Sequence, residues 1–200
     1  MLGSVTQAEE RALFVDALTR AAAESGYTGV TIERVANYAG RPADDFFNHF
    51  VDLDHCLLGS LERFLERLQE EMDDAWVDAE GSWPGRMKAS IQAGVNFIME
   101  LECASRVFLV EQSGPAATEM RFAAVDGIAR KLRPARELYP VAAHYPEIME
   151  ETLVAGVVLV ISGALLAETP AFPEKLSEEL VELVLTPYIG RREAHRIAGE

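Results

Sequence analysis

Apolar residues along this chain recur at intervals of three and four, and period-two alternation is nearly absent, so the pattern predicts helices throughout and no sheet. The expected fold class is all-α. A first helix is predicted over residues 6–25, where Ala12, Leu13, Val15, Ala17, Leu18 and Ala22 recur and Gly26 follows as a C-terminal stop. Thr31 is placed to cap a short second helix over 32–39 by accepting an unpaired backbone N–H, and Gly40 ends it. Gly40-Arg41-Pro42 then makes a turn. Pro42 suits the first turn of a third helix because its missing N–H would be unpaired there, and Asp44 and Asp45 favour the positive end of the helix dipole. That helix is expected to end near Phe50.

Residues 54–79 place Leu57, Leu58, Leu61, Phe64, Leu65, Leu68, Met72 and Trp76 on one side and Glu62, Arg63, Glu66, Arg67, Glu70 and Glu71 on the other, the pattern of a long amphipathic helix. Gly81-Ser82-Trp83-Pro84-Gly85 interrupts it, and Met87, Ile91, Gly94, Val95, Ile98 and Leu101 mark another helix to about Ala104. Shorter stretches cover 107–111 and 116–132, and Pro134, Pro140 and Pro146 punctuate a connection, the last opening a helix over 147–168. A final helix over 174–188 precedes a charged tail. The expected boundary near residue 54 divides a domain of three short helices, 1–54, from a larger helical body, 55–200.

Composition narrows the function classes. The chain has 200 residues, 49% hydrophobic and 26% charged, which excludes a disordered chain. Its net charge of −15 disfavours general attraction to nucleic acid or anionic membranes, so any nucleic-acid role must come from a local surface. The longest apolar run, 152–167, falls short of the roughly 18–20 residues a membrane span needs, and no signal pattern opens the chain, so a cytoplasmic protein without a membrane partner is expected. Cys56 and Cys103 lack metal-ligand spacing and read as reduced thiols. His49, Asp52, Asp54 and His55 cluster in sequence, but an interval of six does not put two histidines on one helical face, so no metal and no cofactor are expected. There is no glycine-rich phosphate loop after a strand and no Gly-x-Ser-x-Gly elbow, and the protein is not expected to be an enzyme.

Two short helices joined by a tight glycine turn form a helix-turn-helix unit, whose second helix fits a major groove. The succession Gly26-Tyr27, Thr31-Ile32, Val35-Ala36, Ala39-Gly40, Phe46-Phe47, His49-Phe50 and Leu57 resembles the N-terminal DNA-binding domain of TetR-family transcriptional regulators, over residues 8–58. Ile32, Val35, Ala36, Phe46 and Phe50 read as the core of such a unit. The resemblance implies that Thr31, Arg41, Ala43, Asp45, Phe47, Asn48 and His49 face DNA: Arg41 toward phosphate or guanine, Asn48 toward an adenine edge, His49 toward phosphate. This chain departs from the family at Ala43-Asp44-Asp45, where a small or basic residue, glycine and threonine are usual, at Phe47, usually tyrosine, and at Leu53, often lysine. Residues 1–56 hold four arginines against nine carboxylates, a net charge of −5.

The resemblance further implies a homodimeric repressor that binds operator DNA and is released by a small apolar or amphipathic effector. Its two third helices would enter successive major grooves roughly 34–36 Å apart, a spacing the effector shifts. The alternative is a TetR-like ligand-binding or protein-interaction protein without specific DNA binding, favoured by the acidic third helix with Phe47 and Leu53. The helix over 147–168 is apolar nearly all round, so Val154, Val157, Val158, Ile161 and Leu165, with Leu176, Leu180, Leu183 and Val184 of the last helix, are expected at a dimer interface, with the central helix of a monomeric bundle as the alternative. Gly156, Ser162, Gly163 and Ala164 would allow close approach. For an effector cavity the expected lining is Trp83, Phe97, Ile98, Met99, Leu101, Phe108, Met120, Phe122 and Val125, with Gln92, Asn96, Gln112, Tyr139 and His144 as polar groups that could orient a ligand.

Overall fold

A computed structural model describes residues 6–111, 114–167 and 173–200, and every regular element among them is helical. Helix α1 (Gln7–Ser25) starts at a reciprocal cap: the Thr6 hydroxyl accepts from the Glu9 N–H at 3.2 Å, and the Glu9 carboxylate accepts from the Thr6 N–H at 2.6 Å. The chain leaves α1 through Gly26 at φ +67°, a conformation side chains rarely adopt. Thr31 caps α2 (Ile32–Ala39) as its position predicts, and Gly40 ends it in the left-handed region at φ +64°. The third helix is shorter than its sequence suggests, α3 covering Ala43–Phe46, with residues 47–50 finishing in turns.

Contacts divide the chain into two compact units. The first takes in residues up to 65 and also 103–118, so it reaches beyond the three short helices to include the start of α4 (Leu53–Asp78), most of α6 (Glu102–Arg106) and a π-helical turn over Val107–Glu111. Its interior is built on Phe14, Leu18, Val35, Phe46, Phe50 and Leu61, all with at most 2% of their surface exposed. Phe46 meets the Phe14 ring edge-on at 5.6 Å and Phe50 at 5.4 Å, and Phe108 stacks on Phe64 at 5.1 Å.

The second unit covers 66–102 and 119–200 and holds the rest of α4, α5 (Trp83–Glu100), most of α7 (Pro115–Leu132), α8 (Ala135–Leu138), α9 (Met149–Leu166), α10 (Pro173–Ile189) and α11 (Arg191–Ala198). Gly94 lets α5 approach α4 closely, since a Cβ there would lie 3.1 Å from the Met72 side chain. Two expectations are corrected here. The charged tail forms α11, because Ala194 and Ala198 supply a narrow buried stripe and Arg196 pairs with Glu193 and Glu200 along the helix. Pro146 does not open α9; its carbonyl accepts from the Met149 N–H, and the helix begins three residues later.

A buried carboxylate anchors the first turn of α9. Glu150 is fully buried and takes two bonds from the Arg136 guanidinium, at 2.7 and 2.8 Å, while the Tyr188 hydroxyl donates to it at 3.1 Å. Arg136 also donates to the carbonyls of Tyr145 and Pro146, so one side chain ties α8 to the approach to α9. Burial is the largest single influence and would raise the Glu150 pKa, but the Arg136 bonds and charge, a backbone N–H and the Tyr188 hydroxyl together hold the carboxyl below its usual range. Above this clamp Trp83, Tyr139 and Tyr188 pack as a ring cluster with centroids 5.0 to 6.5 Å apart.

Beyond the clamp, α9 faces two ways. Val154, Ile161 and Leu165 turn into the chain's own core, whereas Thr152, Ala155, Leu159, Gly163 and Leu166 form an exposed stripe at helical spacing. By length and composition α9, 18 residues with a mean hydropathy of 1.8, reaches the lower limit for crossing a membrane, a little above what the shorter apolar run predicts.

Two outcomes test this packing. Glu150→Gln should cost on the order of 2–4 kcal/mol by leaving the Arg136 charge half-buried and underpaired. Because the Glu150 pKa is depressed in the folded state, its stabilisation is present above the ordinary carboxylate range and lost as pH falls through the folded value. The gap between wild type and variant in denaturant melts should therefore hold from pH 7 down through the ordinary carboxylate range and close only below it; a gap undiminished at about pH 2 would contradict the clamp. Cys56 is buried, its thiol pushed up to about 12 by that burial despite the nearby Arg11, and Cys103 is exposed. A thiol reagent at pH 8 should modify one cysteine at once and the second only on unfolding.

Candidate nucleic-acid interface

The first unit presents a helix-turn-helix whose geometry follows from its turn residues. With Gly40 left-handed, the Arg41 N–H reaches back to the Ala36 carbonyl at 3.0 Å, and Pro42 at φ −59° starts α3 immediately. Val35, Ala36, Phe46 and Phe50 are buried and Ile32 is half-buried, so the residues expected in the core fix the angle between α2 and α3.

The residues expected to face DNA separate into two sets. Thr31, Phe47 and Asn48 are solvent-exposed, Phe47 by 58%, and Ala43 and Asp45 are half-buried at the foot of α3. The Thr31 hydroxyl is also engaged as the α2 cap, accepting from the Arg34 N–H at 3.3 Å. Arg41 and His49 turn back toward α1 instead. Arg41 Nη2 lies 3.4 Å from Glu10 Oε1 and His49 Nε2 lies 3.5 Å from Glu10 Oε2, with the His49 ring 5.7 Å from that of Phe14.

The other arginines of the head are engaged as well. Arg34 Nη2 pairs with Glu24 at 2.9 Å, and the Tyr38 hydroxyl donates to the same carboxylate. The Tyr38 and Arg34 bonds hold the Glu24 carboxyl below its usual range. Arg20 lies over the Tyr38 ring at 4.7 Å and Arg11 over the Phe50 ring at 5.1 Å. Sequence reasoning missed Glu10 and Glu24. The signal was available in part, since they are 14 residues apart on α1 and so lie close to one face of it.

Tyr27 is held at both ends. Its N–H donates to Glu111 at 3.4 Å and its hydroxyl to Asp54, and burial followed by the Asp54 bond raises its pKa strongly. His55 and Asp52 serve the turn before α4, the Asp52 carboxylate accepting from the His55 N–H at 2.8 Å. Among the described residues no group of three or more His, Cys, Asp or Glu is placed to hold a metal.

The chain matches no family model, and no curated protein is similar to it. Solved structures do match along nearly the whole length. A TetR-family transcriptional regulator from Syntrophomonas wolfei shares the fold at a TM-score of 0.74 and 14% identity, over 92% of this chain and 97% of that one. The protein has a TetR-like fold. A transcriptional regulator from Pseudomonas aeruginosa PAO1 follows it at 0.72 and 16% identity, over 96% and 94% of the two chains. The fatty acid degradation regulator FadR from Bacillus halodurans does so at 0.70 and 12% identity, over 94% and 98%.

In a TetR-like chain the second unit is where an effector cavity was expected, and the expected residues fall in separate places. Phe97 and Leu101, with Asn96, line a hollow of about 350 Å³ between α4 and α5, closed by Arg67, Glu71, Ala93 and Glu100, with the Arg67 guanidinium 5.4 Å from the Phe97 ring centre. Trp83 and Tyr139 belong to the ring cluster above Glu150. Ile98 is buried, Met99, Met120 and Val125 are half-buried, and Phe122 is 70% exposed. Phe108 packs in the first unit, against Phe64. Gln92 and Asn96 border a polar hollow of about 360 Å³ with Lys88, Ser177 and Glu200. His144 is exposed, and Gln112 lies outside the described residues.

Of the expected dimer residues, Val154, Ile161, Leu165, Leu176, Leu180 and Val184 are buried within one chain, Val157 and Val158 are half-buried, and Leu183 is exposed. Beside Leu183 a hollow of about 460 Å³ is lined by Leu153, Glu179, Glu182, Thr186, Pro187 and Arg191.

Proposed function

We propose that this protein is a transcriptional regulator that binds operator DNA as a homodimer through residues 1–54 and is released by a small amphipathic effector held by residues 55–200. The observation that carries the reading is the helix-turn-helix edge: Thr31, Phe47 and Asn48 are exposed to solvent on a core-fixed α2–α3 pair, in a chain with a TetR-like fold. Asn48 offers an amide that can bond an adenine edge, and Arg41, once free of Glu10, a guanidinium for phosphate. Release by ligand makes the output repression. Likeness to a regulator of fatty acid degradation favours an amphipathic effector, and the hollow beside Phe97 and Leu101 sets that apolar pair among the polar groups of Arg67, Glu71, Asn96 and Glu100.

The second copy would cover the stripe formed by Ala155, Leu159, Gly163 and Leu166 together with Leu183, moving the interface one helical face away from the residues that fill the chain's own core. Gly156 and Gly163 have no neighbour within 4 Å of where a Cβ would sit, so the face is open to close helix approach.

One set of observations favours a second reading, a TetR-like partner protein without specific DNA binding. Each arginine of the head is engaged within the chain, and exposed Phe47 and Val51 stand beside Asp44 and Asp52.

Anisotropy titrations on labelled duplexes from the DNA flanking the gene, against a scrambled duplex, separate these readings. Asn48→Ala should weaken the preferred duplex by about 1–3 kcal/mol and relax its preference, whereas Arg41→Gln should weaken all duplexes alike and flatten the salt dependence by about one charge. Binding to flanking and scrambled duplexes that cannot be told apart would favour the partner protein. In sedimentation velocity, wild type should run as a dimer and Leu159→Glu as a folded monomer; a monomeric wild type would remove the dimer from the proposal.

A further inference from the structure

Glu10 meets both of the basic side chains expected to contact phosphate, Arg41 and His49. Its two oxygens are shared between them, Oε1 at 3.4 Å from Arg41 Nη2 and Oε2 at 3.5 Å from His49 Nε2. The imidazole cannot simply swing away, because its side chain is 4% exposed and lies against Phe14. Arg41 and Glu10 remain open to solvent, at 31% and 37%. A carboxylate bridging a guanidinium and an imidazole with two oxygens on one centre presents what a phosphodiester presents: a single charge spread over two non-bridging oxygens. Both contacts are ion-pair distances, longer than the about 2.7–2.9 Å of a close charge-assisted hydrogen bond.

We infer that Arg41 and His49 form an anion-binding pair that Glu10 occupies in the free protein, and that a phosphate oxygen of duplex DNA enters by displacing this carboxylate. Glu10 thereby sets the affinity of the head. The inference rests on the operator-binding reading for the identity of the anion, but not for the existence of the pair. It also accounts for how a head of net charge −5 can offer a phosphate site at all: the cations are present but held in place by a side chain of the same chain.

The test compares wild type with Glu10→Gln, and uses Asp16→Asn as a control. Asp16 is on the same helix, is 67% exposed and pairs with Arg63 at 3.6 Å, so it makes the same change in charge without freeing Arg41. In anisotropy titrations Glu10→Gln should tighten binding to flanking and scrambled duplexes about tenfold and steepen the salt dependence by about one charge, while Asp16→Asn changes affinity less than about twofold. The gain should vanish in Glu10→Gln combined with Arg41→Gln. A second arm needs no DNA: inorganic pyrophosphate should shift the His49 imidazole resonance of Glu10→Gln at a concentration at least about fivefold lower than in wild type. Equal pyrophosphate responses in the two proteins, or a duplex gain no larger than that of Asp16→Asn, would overturn the inference. The expected pyrophosphate difference with no duplex binding by any form would support the anion pair and sink the operator reading instead. Superimposable circular dichroism of the variants excludes misfolding as the cause of either result.

Discussion

What this head can offer to an anion is governed by the pairing of its few cations with carboxylates of α1. Four arginines face nine acids over the first 56 residues, so each cation finds an internal partner before any ligand arrives. Glu24 takes Arg34 and the Tyr38 hydroxyl, Glu10 takes Arg41 and His49, and the remaining two arginines lie on aromatic rings. The same contacts brace α1 against the α2–α3 pair, so electrostatics and packing act on one set of atoms. Exposed ion pairs of this kind add little stability singly, and their larger effect is on what remains free to bind. A surface that is acidic on average can therefore still hold a phosphate site, provided the internal carboxylate is no tighter a partner than phosphate.

In the second unit the equivalent constraint is one buried charge. Glu150 is tolerated without exposure because Arg136 meets it with two nitrogens and Tyr188 adds a third donor. A carboxylate so deeply placed would be costly if its partner moved, so the clamp fixes where α9 begins and how α10 lies against it. With that rotation set, Val154, Ile161 and Leu165 must point inward and Leu159 and Leu166 must point out. The exposed apolar stripe is thus a consequence of the anchor rather than of composition alone.

Much of the fold was legible in the sequence because its boundaries are set by local chemistry. The Thr31 cap, the left-handed Gly40 and the proline at the start of α3 each act within a few residues, and each appears where the pattern predicts. Tail helix α11 was not legible, since its buried stripe is made of alanines that carry little hydrophobic signal. The outward edge at Thr31, Phe47 and Asn48 could be named from the helix-turn-helix order, but the turning of Arg41 and His49 toward Glu10 is a tertiary contact that spacing within α3 does not encode. The same limit explains the apolar residues of the second unit. Composition identifies Trp83, Phe97 and Phe122 as large and apolar, yet one joins a ring cluster, one borders a hollow and one faces solvent.

A head with self-paired cations and a chain with an unpartnered apolar stripe bear on the same quantity if the protein acts as a dimer. Exchange of Glu10 for phosphate weakens each head by a modest factor, and for two heads on one operator the factors multiply, because the second engages at the effective concentration set by the first. A tenfold penalty at one head becomes about a hundredfold penalty for the pair, while a lone head on random DNA gains nothing from its partner. Because random DNA is held through the same kind of phosphate contact, the penalty does not by itself favour the operator. On this argument the acidic head is compatible with regulation: it lowers phosphate-driven affinity in general and leaves discrimination to base-edge contacts such as Asn48 and to the joining of two heads.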